Sequence, residues 1–91
     1  MRKGTVKALY PNPVQRNNIF NLEFENERDE TMQLSILNLN GSVVLLQAQK
    51  INIGLNQVPI VADVKWGAGI YVVQLRNEKG TIIKQEKLIV Q

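Results

Sequence analysis

The stretch FNLEFE at residues 20–25 alternates large apolar and polar side chains with a period of two. Successive side chains of a β-strand point to opposite faces of the sheet. Phe20, Leu22 and Phe24 therefore share one face, and the polar residues between them share the other. One buried face and one wet face are typical of a strand that covers a core on one side only. The stretch predicts a half-buried strand.

The same period recurs along the chain. Residues 32–36 repeat the alternation, and residues 51–53 and 58–61 are shorter versions of it. Proline cannot donate a backbone hydrogen bond, so Pro59 restricts the last of these to an edge strand or a strand start. In the segment 70–76, Tyr71 and every second residue after it form one apolar face. No segment of ten or more residues has the spacing of an amphipathic helix.

Turn signals separate these runs every 8–12 residues or so, as expected of a β-sandwich. Asn40-Gly41 predicts a tight type I′ hairpin, because both residues tolerate a positive φ. Glu78-Lys79-Gly80 predicts a second hairpin, and the sequences around the two turns resemble each other. We expect an all-β fold, an Ig-like antiparallel β-sandwich of about seven strands, in residues 9–91. Residues 1–8 are expected to be a linker leading into the first strand.

The composition limits the classes of function that the chain can have. The 91 residues suit one small domain, 44% of them are hydrophobic, and cysteine is absent, so no disulfide can stabilise the fold. The net charge of +3 comes from 11 basic and 8 acidic residues that are interspersed. This distribution disfavours nucleic acid as a partner. No apolar run reaches the 18 or so residues of a transmembrane segment.

The amino terminus is basic but lacks the apolar run of a signal peptide, because Lys7 and Pro11 interrupt it. An exported protein would need its export signal elsewhere. We therefore expect the chain to be a piece of a longer protein.

Histidine and cysteine are both absent, which excludes Ser-His-Asp and Cys-His catalysis and most transition-metal sites. We expect no enzyme activity and no cofactor. The acidic loop 25–30 is either a solvated loop or a calcium site, because alternate oxygen ligands could hold that ion. Trp66 and Tyr71 flank a glycine-containing loop, so they either stack on a sugar or belong to the core.

The segment LYPNPV at residues 9–14 resembles the opening motif of the type IX secretion C-terminal sorting domains of Bacteroidota-type bacteria. The strand, glycine turn and apolar strand at residues 34–44 are similar to the next family element. Gly54-Leu55-Asn56 resembles a Gly-x-Asn element, and residues 69–75 resemble a Gly-x-Tyr strand. The resemblance spans the chain from Leu9 to Gln91. The motif residues are Leu9, Tyr10, Pro11, Asn12, Pro13, Asn38, Gly41, Gly69, Tyr71 and Gly80.

The carboxyl terminus is similar to the basic-then-apolar end of that family, although Gln85-Glu86 separates its two lysines. Trp66-Gly67-Ala68 also departs from the family, which commonly has a Leu-containing approach to the Gly-x-Tyr strand. The residues that the resemblance implies for recognition are Lys84, Lys87, Leu88, Ile89, Val90 and Gln91.

The resemblance implies a passive role. The folded domain would be recognised by the type IX secretion machinery at the outer membrane and then removed by a sortase-like peptidase that can attach the cargo to surface lipopolysaccharide. The cargo would be secreted or held at the cell surface, by way of the periplasm and the outer membrane. An exposed strand edge in the terminal segment would allow recognition by strand addition, and it makes a homodimer through an edge strand plausible. The alternative function is an Ig-like or fibronectin-like accessory module that binds a glycan or a protein.

Overall fold

The computed structural model describes residues 6–91, with side chains from Leu9 onward, and this part of the chain contains seven strands and no helix. The predicted all-β fold is confirmed. The strands are β1 (Val6–Tyr10), β2 (Ile19–Asn26), β3 (Glu30–Asn38), β4 (Val43–Ile51), β5 (Gly54–Val61), β6 (Gly69–Arg76) and β7 (Ile82–Val90).

Two antiparallel sheets form the sandwich. One has three strands in the order β1-β2-β5, and the other has four in the order β4-β3-β6-β7. A constant-type Ig domain places its fourth strand in the same sheet as its first. Here β4 pairs with β3, in the opposite sheet. The order within each sheet makes β1, β5, β4 and β7 the edge strands.

Period-two alternation positions the core as predicted. Phe20, Leu22 and Phe24 on β2 are buried, and Tyr71 and Val73 on β6 face them across the sandwich. The prediction was wrong at residues 51–53, which do not form a strand of their own. Ile51 ends β4, and the following two residues form the link to β5. Pro59 lies in β5, which is an edge strand as predicted.

The turn type of the first hairpin differs from the predicted type I′. Gly41 has a φ of 84°, but Asn17 is the one non-glycine residue with a positive φ in the described range, so Asn40 does not meet the type I′ requirement. The Gly41 N–H donates to the Asn38 carbonyl at 3.0 Å, and the Asn38 N–H donates to the Ser42 carbonyl at 2.9 Å. This is a type I turn closed by a glycine in the left-handed conformation.

The second hairpin repeats that geometry, as the sequence similarity predicted. The Gly80 N–H donates to the Asn77 carbonyl at 3.0 Å, and Gly80 has a φ of 85°. The Asn77 side-chain oxygen accepts hydrogen bonds from the N–H groups of Lys79 and Thr81 at 2.9 and 3.0 Å. Asn38 makes the same two side-chain bonds in the first hairpin. An asparagine therefore begins each turn because its amide oxygen satisfies donors that the turn leaves free.

β1 (Val6–Tyr10) includes residues 6–8 of the segment predicted to be a linker. The domain boundary at residue 9 remains a prediction. Among the described residues, none belongs to a helix long and apolar enough to cross a membrane.

Tyr71 links β6 to the loop before it. Its hydroxyl donates to the carbonyl groups of Trp66 and Gly67, the second at 2.8 Å. The ring of Trp66 packs against that of Tyr71, with 5.8 Å between the ring centroids. Ig-type sandwiches commonly have such a tyrosine near the start of the sixth strand. Trp66 is only 8% exposed, so the core interpretation holds and its face is not open to stack on a sugar.

Substitution of Tyr71 by Phe tests the importance of this link. We expect Tyr71→Phe to lower the free energy of unfolding by about 1–3 kcal/mol, because buried carbonyl groups lose their donor. Thr81→Val is the control, since that side chain is exposed, and we expect a change within about 0.5 kcal/mol. Urea denaturation of the three proteins measures both values. Equal effects of the two substitutions would contradict the role given to the Tyr71 hydroxyl.

Candidate functional site

The carboxyl-terminal residues predicted for recognition lie on β7, and its alternation divides them. Leu88 and Val90 point into the core and are 0% and 2% exposed. Lys87, Ile89 and Gln91 are exposed. Between Gln85 and Ile89 the outward face of β7 carries the residues with odd numbers, and the register shift opposite Leu75 and Arg76 interrupts this alternation before Lys84. The buried pair thus holds the strand in place, and the outward residues are available to a partner.

Lys84 and Lys87 do not form one basic patch. They are three residues apart on a strand, so their side chains leave opposite faces of the sheet. Lys84 is half-buried, and its ammonium group lies 3.4 Å from a carboxylate oxygen of Glu86. Lys87 is exposed on the outer face, beside Val72 of β6 in the strand register.

Side chains of β6 extend the outward face of β7. Ile70 pairs with Ile89, and Val72 pairs with Lys87. Ile70 is 39% exposed and Ile89 is 36% exposed. We name these four residues the C-terminal patch. The family motifs did not point to Ile70 and Val72, although their positions between the core residues of β6 are visible in the sequence.

The edge of β7 is not free at its end, which corrects the predicted exposed edge. The segment after β1 runs parallel to β7 and bridges Val14 to Val90. The Val14 N–H donates to the Ile89 carbonyl at 2.9 Å, and the Gln91 N–H donates to the Val14 carbonyl at 2.8 Å. The Arg16 N–H donates to the Gln91 carbonyl at 3.0 Å. Strand addition at this end of β7 would have to displace these bonds.

Asn12 continues this pairing with its side chain. Its Nδ2 donates to the Lys87 carbonyl at 2.8 Å, and its Oδ1 accepts from the Ile89 N–H at 2.9 Å. The amide thus makes the two bonds that a neighbouring strand would make. Both peptide bonds that precede a proline here, Tyr10-Pro11 and Asn12-Pro13, are cis. The two hydrogen bonds of Asn12 give the opening motif a physical role, which is to hold the segment after β1 at the edge of β7.

Tyr10 belongs to the same motif and anchors the end of β1 to its own sheet. Its hydroxyl donates to a carboxylate oxygen of Glu23 at 2.6 Å and accepts from Nε2 of Gln57 at 2.7 Å. The three residues come from β1, β2 and β5. The hydrogen bond to Glu23 raises the pKa of the Tyr10 hydroxyl, and desolvation raises it further.

Asn56 gives the Gly-x-Asn element a structural role. It is 8% exposed and lies in β5. Its Oδ1 accepts from the Asn52 N–H at 2.8 Å, and its Nδ2 donates to the Asn52 carbonyl at the same distance. A further bond from Nδ2 reaches the Phe24 carbonyl of β2 at 3.3 Å. The asparagine therefore fixes the link between β4 and β5, and Gly54 adopts the φ of 98° that the link requires.

The acidic loop is shorter than the predicted residues 25–30, because β2 continues to Asn26 and β3 begins at Glu30, and side chains at both of its ends hold it. Nδ2 of Asn26 donates to the Arg28 carbonyl at 2.8 Å and to Oε2 of Glu30 at 3.0 Å. The bond from Asn26 lowers the pKa of Glu30, and the charge of Arg28 lowers it further. Oδ1 of Asp29 accepts from the Ile53 N–H at 2.6 Å. Within residues 6–91 no three acidic side chains come together in a group that could hold a metal ion.

The raised pKa of Tyr10 predicts a pH effect at alkaline pH. A pKa that is higher in the folded state than in the unfolded state favours the neutral phenol on folding. The stabilisation is therefore complete below the unfolded pKa, about 10, and is lost as the pH rises through the folded value. We expect Tyr10 to titrate above a normal tyrosine, as measured by ultraviolet absorbance of phenolate formation in the folded protein. Glu23→Gln should bring the titration back towards normal, and an unchanged titration would contradict the assigned cause.

Removal of the Asn12 amide tests the closure of the β7 edge. In Asn12→Ala the Ile89 N–H loses its acceptor, so we expect its hydrogen exchange to accelerate and the free energy of unfolding to fall by about 0.5–1.5 kcal/mol. Asn40→Ala is the control, because that side chain is exposed in the first hairpin. Exchange measured by NMR gives the result for each amide. Equal protection of Ile89 in the Asn12→Ala variant and the parent protein would refute the assignment.

Comparisons with known proteins place this chain in a family. The model of the secretion system C-terminal sorting domain matches residues 8–91. No curated protein matches the chain. Among solved structures, a β-glucosidase from Listeria innocua in complex with isofagomine is similar to 94% of this chain, with a TM-score of 0.61 and 9% identity. The D270A mutant of that enzyme in complex with laminaribiose is similar to 96% of the chain, with a TM-score of 0.61 and 10% identity.

The chain spans 15% of the length of each β-glucosidase. At this level of identity the likeness extends to the fold of a single domain and not to the activity of those enzymes. The family match covers the sandwich from residue 8, within β1, to the end of β7 and includes each motif whose contacts are described above. The chain therefore belongs to the type IX secretion C-terminal sorting domain family, which directs export to the cell surface or secretion and is not a family of enzymes.

Proposed function

We propose that this domain is a non-enzymatic sorting signal that the type IX machinery reads in its folded form, through the C-terminal patch. The observation that carries the proposal is the alternation of outward and buried side chains at the end of β7. Lys87 and Ile89 face outward beside Ile70 and Val72, whereas the residues between them are buried. A contiguous apolar surface with one cation at its border is the kind of surface that a protein partner covers.

Recognition through outward side chains is compatible with a β7 backbone that is already hydrogen-bonded. Asn12 and Val14 already bond to the edge of β7 at Lys87, Ile89 and Gln91. A partner that added a strand there would first have to break these bonds. A partner that covers the outer face of the sheet would leave them in place, so the face is the simpler target.

Export would end in removal of the domain by a sortase-like peptidase, with the cargo released or attached to lipopolysaccharide at the cell surface. We place the cleaved bond before β1. β1 pairs with β2, and the segment that follows it pairs with β7, so a cut before β1 leaves the sandwich whole. The cargo would reach the peptidase after passing from the periplasm across the outer membrane.

The test is an export assay with point substitutions. Deletion of residues 87–91 would also remove Leu88 and Val90 from the core, so it would confuse recognition with folding. We fuse the domain to the carboxyl terminus of an inert carrier that has its own inner-membrane export signal, in a host with the type IX system. For the double variant Lys87→Glu, Ile89→Glu we expect surface carrier to fall by at least about tenfold, equivalent to about 1.4 kcal/mol of recognition energy.

A matched double variant controls for charge and exposure. Lys79→Glu, Ile82→Glu makes the same chemical changes in the second hairpin and at the start of β7, where Ile82 pairs with Arg76 and is 41% exposed, close to the 36% of Ile89. Circular dichroism and urea denaturation establish that both variants fold. Export of the first variant at the parental level, or an equal loss in the second, would overturn the proposal.

A further inference from the structure

Three of the four sheet edges are protected against pairing with another chain. β1 has a register shift between Val6 and Ala8. β7 is bonded at its end by the segment after β1. On β5 the Ala62 N–H donates to the Asn18 carbonyl, so residues 56, 58 and 60 face β2 and Pro59 faces the free edge. Short strands, irregular pairing and prolines are the usual means by which proteins block sheet edges.

β4 lacks a comparable protection over most of its length. It has nine residues, no proline, and one charged residue, Lys50, near its end. Its irregular pairing lies at the hairpin end, where the register shifts between Ile36 and Leu37 of β3. From Leu45 onward the pairing with β3 is regular.

The free backbone groups of β4 can be assigned from the hairpin. Asn38 bonds to Gly41 and Ser42, on the β4 side of β3. Because bonding direction alternates along a strand, residues 36, 34 and 32 also face β4, and their partners are residues 45, 47 and 49. Leu46, Ala48 and Lys50 therefore direct their N–H and carbonyl groups to the free edge. Their side chains lie on the outer face, where Leu46 is 57% exposed.

We infer that β4 pairs antiparallel with β4 of a second copy of this chain, which joins the two four-stranded sheets into one of eight strands. A register centred on Gln47 pairs the regular part of the strand, residues 45–49, with the same residues of the second copy. It places Leu46 of each copy opposite Ala48 of the other on the outer face, and leaves each Lys50 beyond an end of this regular stretch. The two lysines then lie at opposite ends of the pair, so the single charge of the strand causes no repulsion between copies.

A second copy suits this edge better than a flexible peptide does. A disordered peptide must order its backbone on binding, at about 1–2 kcal/mol per residue. β4 of a second copy is already extended through its bonds to β3, so this cost has been met by folding. The second copy also brings another exposed Leu46, within reach of the first across the new pairing.

The contact involves one strand from each copy, so we expect it to be smaller than a standard interface of about 1,600 Å² and the dimer to be weak. Sedimentation equilibrium over a range of concentrations should show the apparent mass rise from 10.3 kDa towards twice that value. NMR shift changes with concentration should fall on the amides of Leu46, Ala48 and Lys50.

Ala48→Pro removes a free-edge N–H without breaking a bond to β3, and Pro59 demonstrates that an edge strand of this fold accepts proline at such a position. We expect this variant to remain monomeric. Val61→Pro makes the corresponding change on the free edge of β5 and should dimerise like the parent protein. Leu46→Lys is the second test, because it brings two new cations together at the centre of the pair.

A parent protein that stays monomeric at the highest concentration used in the sedimentation equilibrium experiment overturns the inference. Dimerisation that survives both Ala48→Pro and Leu46→Lys in folded protein overturns it too, as do shift changes confined to β5 or β7. The result is separable from the export assay, because β4 and β7 lie at opposite edges of the same sheet.

Discussion

The parallel bridge between Val14 and Val90 is the contact on which the arrangement of the domain depends. It joins the first turn of the chain to the last strand, and so connects the two sheets by backbone hydrogen bonds as well as by the core. Cysteine is absent, so no disulfide can make such a connection. The side chains of both valines are buried, at 1% and 2% exposure, and the bridge therefore combines hydrogen bonding with apolar burial. Without it the end of β7 would be an open edge.

At four places in this fold an asparagine side chain bonds to backbone groups that strand pairing leaves free. Asn12 bonds to the edge of β7, Asn56 to the link between β4 and β5, and Asn38 and Asn77 to their hairpins. The amide side chain carries both a donor and an acceptor, so one residue can stand in for a peptide group. Asn12 and Asn38 among the motif residues, and Asn56 of the Gly-x-Asn element, therefore have a structural role.

Local patterns in the sequence were sufficient to predict β2, β3, β5 and β6, because period-two alternation requires only neighbouring residues. The faces of β2 and β6 were predicted correctly for this reason. The closed edge of β7 could not be predicted in the same way, since Asn12 and Lys87 are 75 residues apart. The hairpin type was wrong because Asn40-Gly41 fits a type I′ turn by residue preference, whereas the side chain of Asn38 stabilises the longer turn. By contrast, the separation of Lys84 from Lys87 follows from strand parity and was available in the sequence.

Because buried and outward residues alternate on β7, recognition through the C-terminal patch also depends on folding. The residues of the C-terminal patch come from two strands, and they become neighbours only when β6 and β7 pair. Leu88 and Val90 hold that pairing against the core, so the tail cannot leave the sandwich and keep the patch intact. A receptor that contacts Ile70 together with Ile89 would therefore bind folded domains and pass over unfolded ones. In such a system, a loss of core packing and a loss of the outward side chains have the same result for export, and only the stability of the domain distinguishes them.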